Sequence, residues 1–268
     1  MLGWISSKRL KGGAIVPCEY SQCGGYTLEA ELGIEANGDA APDFRDWEVK
    51  SHTVKNFVGL SSGPVTLMTP EPTGGYYRSE GLVSFVDRYG YRSPKVGRED
   101  RREFGGRHKA NQLCRKSNLT LSLVGYDCAA DELKDPSGSV SLIDSNGKVA
   151  ASWRFTDLMS HWKAKHTRTA FVPCMLQRAP TRRYRYGDVV RLGMGADFLR
   201  VLQAMNSAKL FYDPGIWYSI IDGKTKSKKR SQFRMGSKSL SALYPSMETV
   251  SVCSAPDRSH QPAEGPEV

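Results

Sequence analysis

The segment PDFRDWEVKSH, at residues 42–52, constrains the chain most, because it places charged side chains in and beside a predicted strand. Asp43 follows a proline, which favours a turn, and residues 47–50 (WEVK) alternate apolar and charged side chains. A strand repeats every two residues, so Glu48 and Lys50 share one face. Two carboxylates and a lysine at one point can hold a hard divalent cation with a water molecule beside it. The segment therefore predicts either a site for metal-assisted phosphodiester hydrolysis or an ordinary ion pair at a sheet edge.

The charge balance narrows the choice of partner. The chain has 268 residues, 39% of them hydrophobic, which is enough for one large domain or two small ones. Its net charge of +10 favours an anionic partner, most commonly nucleic acid. An anionic membrane surface or a gain in solubility are the alternatives. The chain has no run of 18 apolar residues, and its N-terminus lacks the apolar core of a signal peptide. We therefore expect a cytoplasmic protein that does not interact with a membrane.

The six cysteines form no recognisable metal or redox motif. None belongs to a Cys-x-x-Cys pair, and the closest two, Cys18 and Cys23, have four residues between them. We therefore expect reduced, mostly buried thiols.

A short helix is predicted before the charged segment, at residues 26–33 (YTLEAELG). Thr27 is a suitable N-cap and Gly33 a natural stop. Two leucines four residues apart form a buried stripe, and Glu29 borders that stripe. Glu29 is therefore either a surface acid that compensates the helix dipole or a third carboxylate over the metal site.

The rest of the chain mixes strands with helices, which indicates a mixed α/β or α+β class. Strands are predicted at residues 65–72, 81–91, 119–126, 171–176 and 216–222, a hairpin at 137–155 with Asn146-Gly147 as its turn, and helices at 156–166 and 198–208. The last eighteen residues, 251–268, have little apolar content and three prolines. We expect them to be a disordered tail.

Two basic blocks lie at residues 98–116 and 224–238. The second, KTKSKKRSQFRMGSK, contains seven basic residues and no acid. Lysine attracts phosphate in a salt-sensitive way, whereas arginine and glutamine can make bidentate hydrogen bonds to guanine and adenine. The second block therefore predicts contact with DNA, the alternative being a solvated charged loop. Two histidines, His161 and His166, have no acidic partner at ligand spacing, so we interpret them as structural or close to DNA.

Several short runs, taken together, resemble one nuclease family. They are Gly24-Gly25-Tyr26-Thr27-Leu28-Glu29, Leu32-Gly33-Ile34, Asn37, Pro42-Asp43-Phe44, Trp47-Glu48-Val49-Lys50-Ser51, Thr66-Leu67-Met68-Thr69, Glu71-Pro72, Trp162-Lys163-x-Lys165-His166, Phe211-Tyr212-Asp213-Pro214-Gly215 and Lys229-Arg230-Ser231-Gln232-Phe233-Arg234. In this order and spacing, over roughly residues 3–245, the chain resembles the MvaI/BcnI family of type II restriction endonucleases. That family belongs to the PD-(D/E)xK nuclease superfamily and is similar in fold to the repair endonuclease MutH.

The resemblance implies a fold and an activity. The fold would be a restriction-endonuclease-like core over residues 1–250, with a mixed central sheet flanked by helices. A DNA cleft would separate a catalytic lobe centred on 26–130 from a recognition lobe centred on 150–245. The activity would be Mg²⁺-dependent cleavage of double-stranded DNA to 5′-phosphate and 3′-hydroxyl ends. A monomer would nick each strand of a short, near-palindromic, GC-rich site in turn, and a protecting DNA methyltransferase would be expected in the same cell.

The resemblance also implies roles for individual residues. Asp43, Glu48 and the carbonyl of Val49 would bind the metal ion, Lys50 would orient or activate the attacking water, and Glu29 would be the helix-borne acid that assists. The segment Lys229–Arg234 resembles the recognition loop, so Lys229, Arg230, Gln232 and Arg234 are candidate DNA-binding residues. Lys8, Arg9 and Lys11 of the basic N-terminal segment are further candidates.

Two positions depart from the family pattern. Ser231 stands where relatives often have a histidine, which predicts a different base contact, and Asp46 replaces a frequent glycine.

Two other functions remain open: a nicking endonuclease like MutH that needs partners, and a DNA-binding protein that keeps the fold without catalysis. A restriction enzyme would digest plasmid DNA into discrete bands unaided, whereas the MutH-like enzyme would not. Binding without cleavage would identify the non-catalytic DNA-binding protein.

Overall fold

A computed structural model of the chain describes residues 3–35, 42–58 and 63–252. The helices in these ranges are α1 (Cys23–Glu31), α2 (Tyr76–Tyr89), α3 (Phe155–His166), α4 (Phe198–Asn206) and the 3-10 helix Ser237–Leu243. The strands are β1 (Ile5–Ser6), β2 (Lys8–Lys11), β3 (Ala14–Pro17), β4 (Glu48–Thr53), β5 (Pro64–Met68), β6 (Tyr91–Arg92), β7 (Arg101–Gly105), β8 (Leu113–Cys114), β9 (Leu119–Val124), β10 (Tyr126–Asp127), β11 (Glu132–Leu133), β12 (Ser139–Ile143), β13 (Val149–Arg154), β14 (Arg168–Gln177), β15 (Arg183–Tyr186), β16 (Val189–Met194), β17 (Leu210–Tyr212), β18 (Gly215–Ile221), β19 (Lys224–Lys228), β20 (Phe233–Gly236) and β21 (Ser246–Ser251).

The central sheet is mixed. β4 runs parallel to β14, and on its other side β14 pairs antiparallel with β16 and then with β15. These two strands pair in turn with β21 and β1. The antiparallel partner of β14 changes from β16 to β15 at Pro173, which has no N–H to donate to a neighbouring strand. Its carbonyl instead accepts a hydrogen bond from the N–H of Gly187 at 2.9 Å.

Smaller antiparallel sheets surround this one. β17, β20 and β5 form a sheet that carries the second basic block past β4, and β13, β12, β9 and β8 form another. The sheet β19–β18–β7–β6 presents much of both basic blocks. α1 packs against β4, and α3 leads directly into β14. The mixed central sheet flanked by helices was predicted and is confirmed.

Two hydrophobic clusters hold these layers together. The larger one joins α2, α3 and α4 to the smaller sheets, and Trp153 and Trp162 are each no more than 1% exposed within it. The smaller one attaches α1 to the central sheet through Tyr184 and Tyr186. Because α1 and β4 are both fixed to the same sheet, their side chains meet in a defined geometry.

Most of the predicted elements are confirmed. The strands expected at 65–72, 119–126, 171–176 and 216–222 correspond to β5, β9, β14 and β18, and the helices at 156–166 and 198–208 to α3 and α4. The hairpin at 137–155 is β12–β13, with Gly147 in the left-handed region at φ 76°.

The strand predicted at residues 81–91 is wrong, because most of this segment lies in α2. Phe85 and Val86 lie three and four residues after Leu82, and Tyr89 follows them at the same spacings, so one helical face carries all four side chains into or against the core. A short apolar run is compatible with both the helical and the strand period, and packing against the core selects the helix here.

The prediction for α1 is correct at its end but wrong at its start. Gly33, at φ 73°, follows the helix as expected. The helix begins at Cys23, however, so Thr27 lies inside it and is fully buried. The Thr27 hydroxyl accepts a hydrogen bond from the N–H of Lys8 and donates one to its carbonyl, at 3.0 and 3.1 Å. Thr27 therefore joins α1 to β2 instead of capping the helix.

The expectation of reduced thiols is wrong for one pair. Cys18 and Cys23 form a disulfide, because the turn before α1 brings their Cα atoms to 5.8 Å. Cys114, Cys128 and Cys174 are free. Asn37 and Cys253 lie outside the described residues. Of the expected tail at 251–268, residues 253–268 also lie outside them, and Ser251 is the last residue of β21. No helix in the described ranges is long and apolar enough to cross a membrane.

Candidate active site

The strand β4 places Glu48 and Lys50 on one face, as the alternation predicted. Glu48 is 1% exposed, and the Lys50 ammonium donates a hydrogen bond to its Oε1. The parallel pairing with β14 sets Glu48 opposite Thr169 and Lys50 opposite Phe171. A shift of one residue would turn both charged side chains to the other face, so this pairing fixes the site.

A turn brings Asp43 to the start of β4. Phe44 and Trp47 exchange two backbone hydrogen bonds of 2.9 Å, which folds the chain back. Asp43 Oδ2 then accepts a hydrogen bond from the N–H of Val49 at 3.1 Å. The N–H and C=O of one strand residue point to the same side. The Val49 carbonyl therefore faces the same side as Asp43, away from β14.

Glu29 completes a group of three carboxylates. Burial on α1 raises the pKa of Glu29 to about 7, and the charges of Asp43 and Glu48 contribute to this increase. A charge interaction of that kind requires the three acids to be close together. At neutral pH, Glu29 is therefore partly protonated, and a bound cation would favour its ionised form.

The carboxylate of Glu48 is incompletely satisfied. Burial raises its pKa, and the neighbouring Lys50 partly offsets that effect. Its Oε2 atom is buried and accepts no hydrogen bond from any described residue. The Lys165 ammonium lies 4.0 Å from that oxygen.

Lys165 is a residue of the site that sequence reasoning missed. It lies in the last turn of α3, beside His166, whose Nε2 is 3.0 Å from the Leu67 carbonyl oxygen. Since His166 is fully buried and its pKa is lowered well below the usual value by burial, it is a neutral anchor for the end of the helix. His161 is partly buried on the same helix. The run Trp162-Lys163-x-Lys165-His166 was the available signal, but spacing alone did not link it to β4.

The oxygen atoms at the site could hold a hard divalent cation. No cluster of three or more His, Cys, Asp or Glu side chains with ligand geometry occurs in the described part of the chain. Magnesium keeps several waters and commonly takes only one or two carboxylates from a protein. Asp43, the unbonded oxygen of Glu48 and the Val49 carbonyl are oxygen donors of that kind.

One cavity of about 750 Å³ unites these acids with the second basic block. Glu29, Asp43, Glu48, Lys50 and Lys165 line it together with Arg230, Gln232 and Arg234. The structure therefore brings the predicted catalytic residues together with three of the predicted DNA-binding residues.

The polar groups of the second block are held in place by the protein. Gln232 accepts from the Thr66 hydroxyl at 3.2 Å and donates to the Asp213 carbonyl at 3.0 Å. Arg234 donates to the Asp213 carboxylate at 2.6 Å and to the Pro64 carbonyl at 2.7 Å. These side chains are presented to the cavity in fixed orientations.

The two departures from the family pattern lie away from the cavity. Ser231 is 2% exposed and donates a hydrogen bond to the Pro70 carbonyl at 2.5 Å. Asp46 is exposed at the turn, 3.7 Å from a guanidinium nitrogen of Arg168. Neither side chain lines the space in which the carboxylates converge.

The remaining predicted DNA-binding residues lie on the outer surface. Lys229 precedes Arg230 and is exposed. On β2, Lys8 forms an ion pair with Glu31 at 2.5 Å and Arg9 lies over the Tyr20 ring, while Lys11 is exposed. These four residues do not line the cavity, so any contact they make with DNA lies outside it.

Comparisons with known proteins identify the family of the chain. The family model for the MvaI/BcnI restriction endonuclease family matches residues 1–244. The solved complex of restriction endonuclease MvaI with its cognate DNA substrate is similar in fold, with a TM-score of 0.68, 17% sequence identity and 92% of each chain covered.

A structure of MvaI in the absence of DNA gives a TM-score of 0.48 at 16% identity, over 85% of this chain and 84% of that one. A comparison with curated proteins gives no match. Because the family model covers nearly the whole chain, the resemblance seen in the sequence is confirmed: the chain belongs to the MvaI/BcnI restriction endonuclease family and is a type II site-specific deoxyribonuclease.

Proposed function

We propose that the chain cleaves double-stranded DNA with Mg²⁺ as its cofactor, at the cavity where the carboxylates meet the second basic block. The observation that carries this proposal is the buried Oε2 of Glu48, which accepts no hydrogen bond from a described residue and belongs to a side chain that lines a cavity together with two arginines. A buried carboxylate oxygen without a partner is costly. A divalent cation would relieve that cost.

Type II restriction endonucleases generally need a divalent metal ion. Here Asp43, Glu48 and the Val49 carbonyl would hold it. When bound, the ion would supply positive charge to the phosphate and to the leaving oxygen.

The chain's own residues prepare the attack. Lys50 orients the water that attacks phosphorus in line and stabilises negative charge on the non-bridging oxygens. Lys165, whose ammonium lies 4.0 Å from Oε2 of Glu48, adds positive charge beside the site. Glu29 accepts hydrogen bonds from solvent around the site when it is ionised. Cleavage of the bond to the 3′ oxygen leaves 5′-phosphate and 3′-hydroxyl ends.

The second basic block supplies recognition. Arg230, Gln232 and Arg234 face the cavity and present donors suited to base edges. Lys229 on this block, and Lys8, Arg9 and Lys11 on the N-terminal ribbon, contact phosphates. The cleft lies between a catalytic lobe centred on 26–130 and a recognition lobe centred on 150–245, although β4 crosses this division by pairing with β14.

The proposal includes the mode of action. A monomer nicks each strand in turn at a short, near-palindromic, GC-rich site in the cytoplasm. A cognate DNA methyltransferase in the same cell protects the host site.

The test is to incubate the purified chain with plasmid DNA and Mg²⁺, with EDTA as the control, and to sequence the ends. We expect discrete fragments with 5′-phosphates, a nicked intermediate and no cleavage in EDTA. Binding without cleavage under any divalent cation would refute catalysis, and cleavage that persists in EDTA would refute the metal-binding role.

A further inference from the structure

A second cavity, of about 470 Å³, lies on the sheet β19–β18–β7–β6. It is lined by residues of both basic blocks and by one acid, Glu103. The five cations of its lining are Lys95, Arg98, Arg101, Lys228 and Arg230. None of these except Arg230 belongs to the catalytic cavity.

The single acid is already engaged. Glu103 Oε1 is 3.0 Å from the Nε of Arg101 and accepts a hydrogen bond from the Ser93 hydroxyl at 3.0 Å. The other four lining cations form no ion pair with a described acid. Burial lowers the pKa of Arg101, and the nearby charge of Arg98 lowers it further. Cations that repel one another in this way would be stabilised by an anion between them.

Two glycines lie side by side in the lining of this cavity. Gly105 on β7 lies directly opposite Gly215 on β18. A Cβ atom at Gly215 would come within 2.6 Å of the Nε of Arg230. Glycine inside a strand marks places where another group approaches the backbone closely. Here that group is the guanidinium of Arg230, whose Nε is buried and has no hydrogen-bond partner in the part of the chain that the structure describes.

One wall is held rigid by stacking. The guanidinium carbon of Arg101 lies 4.1 Å from the centroid of the Trp217 ring. Stacking and the ion pair with Glu103 leave Arg101 few alternative rotamers. A planar guanidinium in a fixed position suits a phosphate better than a flexible ammonium does.

We propose that this second cavity binds the sugar–phosphate backbone of DNA that flanks the recognition sequence. Arg230 lines both cavities, so a duplex whose recognition sequence lies at the catalytic cavity continues into the second one. The inference rests on the proposed function, and it adds that affinity depends on the length of DNA outside the recognition sequence.

The test uses the full chain with two lysines of the second cavity replaced, Lys95→Ala/Lys228→Ala. The matched control is Lys148→Ala/Lys209→Ala, which removes the same charge from two exposed positions elsewhere. Binding is measured in EDTA on duplexes of about 14 and about 30 base pairs, over a range of salt concentrations, since each phosphate contact contributes about 0.9 to the slope of log K against log salt.

We expect the parent and the control to bind the longer duplex more tightly and with a steeper slope than the shorter one. The Lys95→Ala/Lys228→Ala variant should lose about tenfold in affinity on the longer duplex, with a slope smaller by about 1 to 2, and little on the shorter one. Both lysines are exposed, so circular dichroism should show an unchanged fold.

Equal losses in the test and control variants, or the same length dependence in the test variant and the parent, would overturn the inference. These arms require no cleavage. A parent that binds DNA as expected but does not cut it would therefore refute the proposed function and leave this inference standing.

Discussion

Two walls of the catalytic cavity differ in how their polar groups are hydrogen-bonded. On the wall formed by β4 and α1, Glu48 keeps an oxygen without a hydrogen bond from a described residue, and burial raises the pKa of Glu29 to about 7. On the wall formed by β20 and the residue before it, Gln232 uses both ends of its amide, and Arg234 donates to a carboxylate and a carbonyl. The first wall leaves a carboxylate oxygen without a donor, whereas on the second wall Gln232 and Arg234 are each held by two hydrogen bonds to the protein, even though Nε of Arg234 has no partner among the described residues.

The difference indicates two separate requirements. A wall that must bind a cation gains affinity by leaving negative charge poorly neutralised until the cation arrives. A wall that must distinguish bases gains by holding its donors in place before DNA binds, because less conformational freedom is then lost on binding. Five variants test this contrast.

Lys50→Ala should have the largest effect, on cleavage. Removing the cation next to Glu48 takes away the charge that orients water and stabilises the phosphate, so we expect the cleavage rate to fall by about 10³-fold or more. Specific binding of DNA, measured in EDTA, should remain. Lys163→Ala, on the exposed side of α3, is the control. Plasmid cleavage by Lys50→Ala at the parental rate would remove this residue from the site.

Arg234→Ala should have the next largest effect, on stability and on site discrimination together. It leaves the Asp213 carboxylate and the Pro64 carbonyl without their donor, at a cost of about 1–3 kcal/mol in the free energy of unfolding. Denaturant titration measures that loss. Competition between the cleaved sequence and singly substituted ones measures the discrimination, since a base contact contributes about 1–3 kcal/mol.

Arg230→Ala is the comparison for Arg234→Ala, because the Arg230 side chain forms no ion pair with a described acid. It should change stability little and lower discrimination more than non-specific affinity. A uniform loss of affinity on all DNA would instead assign this arginine to phosphate.

Lys165→Ala should lower the cleavage rate by about 10- to 100-fold. The charge of Lys165 lowers the pKa values of Glu48 and Glu29. Without it both pKa values rise, and the acid limb of the cleavage–pH profile should move to higher pH. Lys165→Arg should restore the profile and Lys163→Ala should leave it unchanged. A lower rate with an unshifted acid limb would show that Lys165 does not act through these carboxylates.

Glu29→Gln should have the smallest effect, and the effect should depend on pH. An acid whose pKa is raised from 4.5 to about 7 in the folded protein binds more protons when folded, so its burial costs stability as pH rises through that range. The full difference corresponds to at most about 3 kcal/mol, and partial exposure should reduce it to about 1–2 kcal/mol.

In EDTA, Glu29→Gln should therefore match the parent near pH 4 and be more stable than the parent at pH 8. Melting curves at both pH values measure this difference. A variant that is less stable than the parent at pH 8 would contradict the cost assigned to the ionised carboxylate.

The part of the site that is local in sequence was predictable. Alternation placed Glu48 and Lys50 on one face because strand geometry has a period of two. Lys165 was not found, because its approach to Glu48 depends on how α3 enters β14. The environment of Ser231 was equally out of reach. Its burial against Pro70 follows from the packing of β20, and the expected change in a base contact has no counterpart in the cavity.

The fold was predictable where one periodicity was clear. The hairpin around Gly147 has a turn signal with a known geometry, and it was found. Residues 81–91 form a short apolar run between glycines, where helical and extended patterns overlap, and the surrounding core selected a helix. The Cys18–Cys23 disulfide depends on a turn before α1 that residue spacing does not specify.

The parallel pairing of β4 with β14 has a consequence for which changes the chain can tolerate. Thr169 is the partner of Glu48, and it lies four residues after Lys165. The register of this pairing therefore sets the distance between Glu48, from the first quarter of the chain, and Lys165, from its second half. Lengthening a surface loop would leave the distance between these two side chains unchanged. Inserting a single residue between Lys165 and Thr169 would alter it, even though no side chain of the site had been replaced.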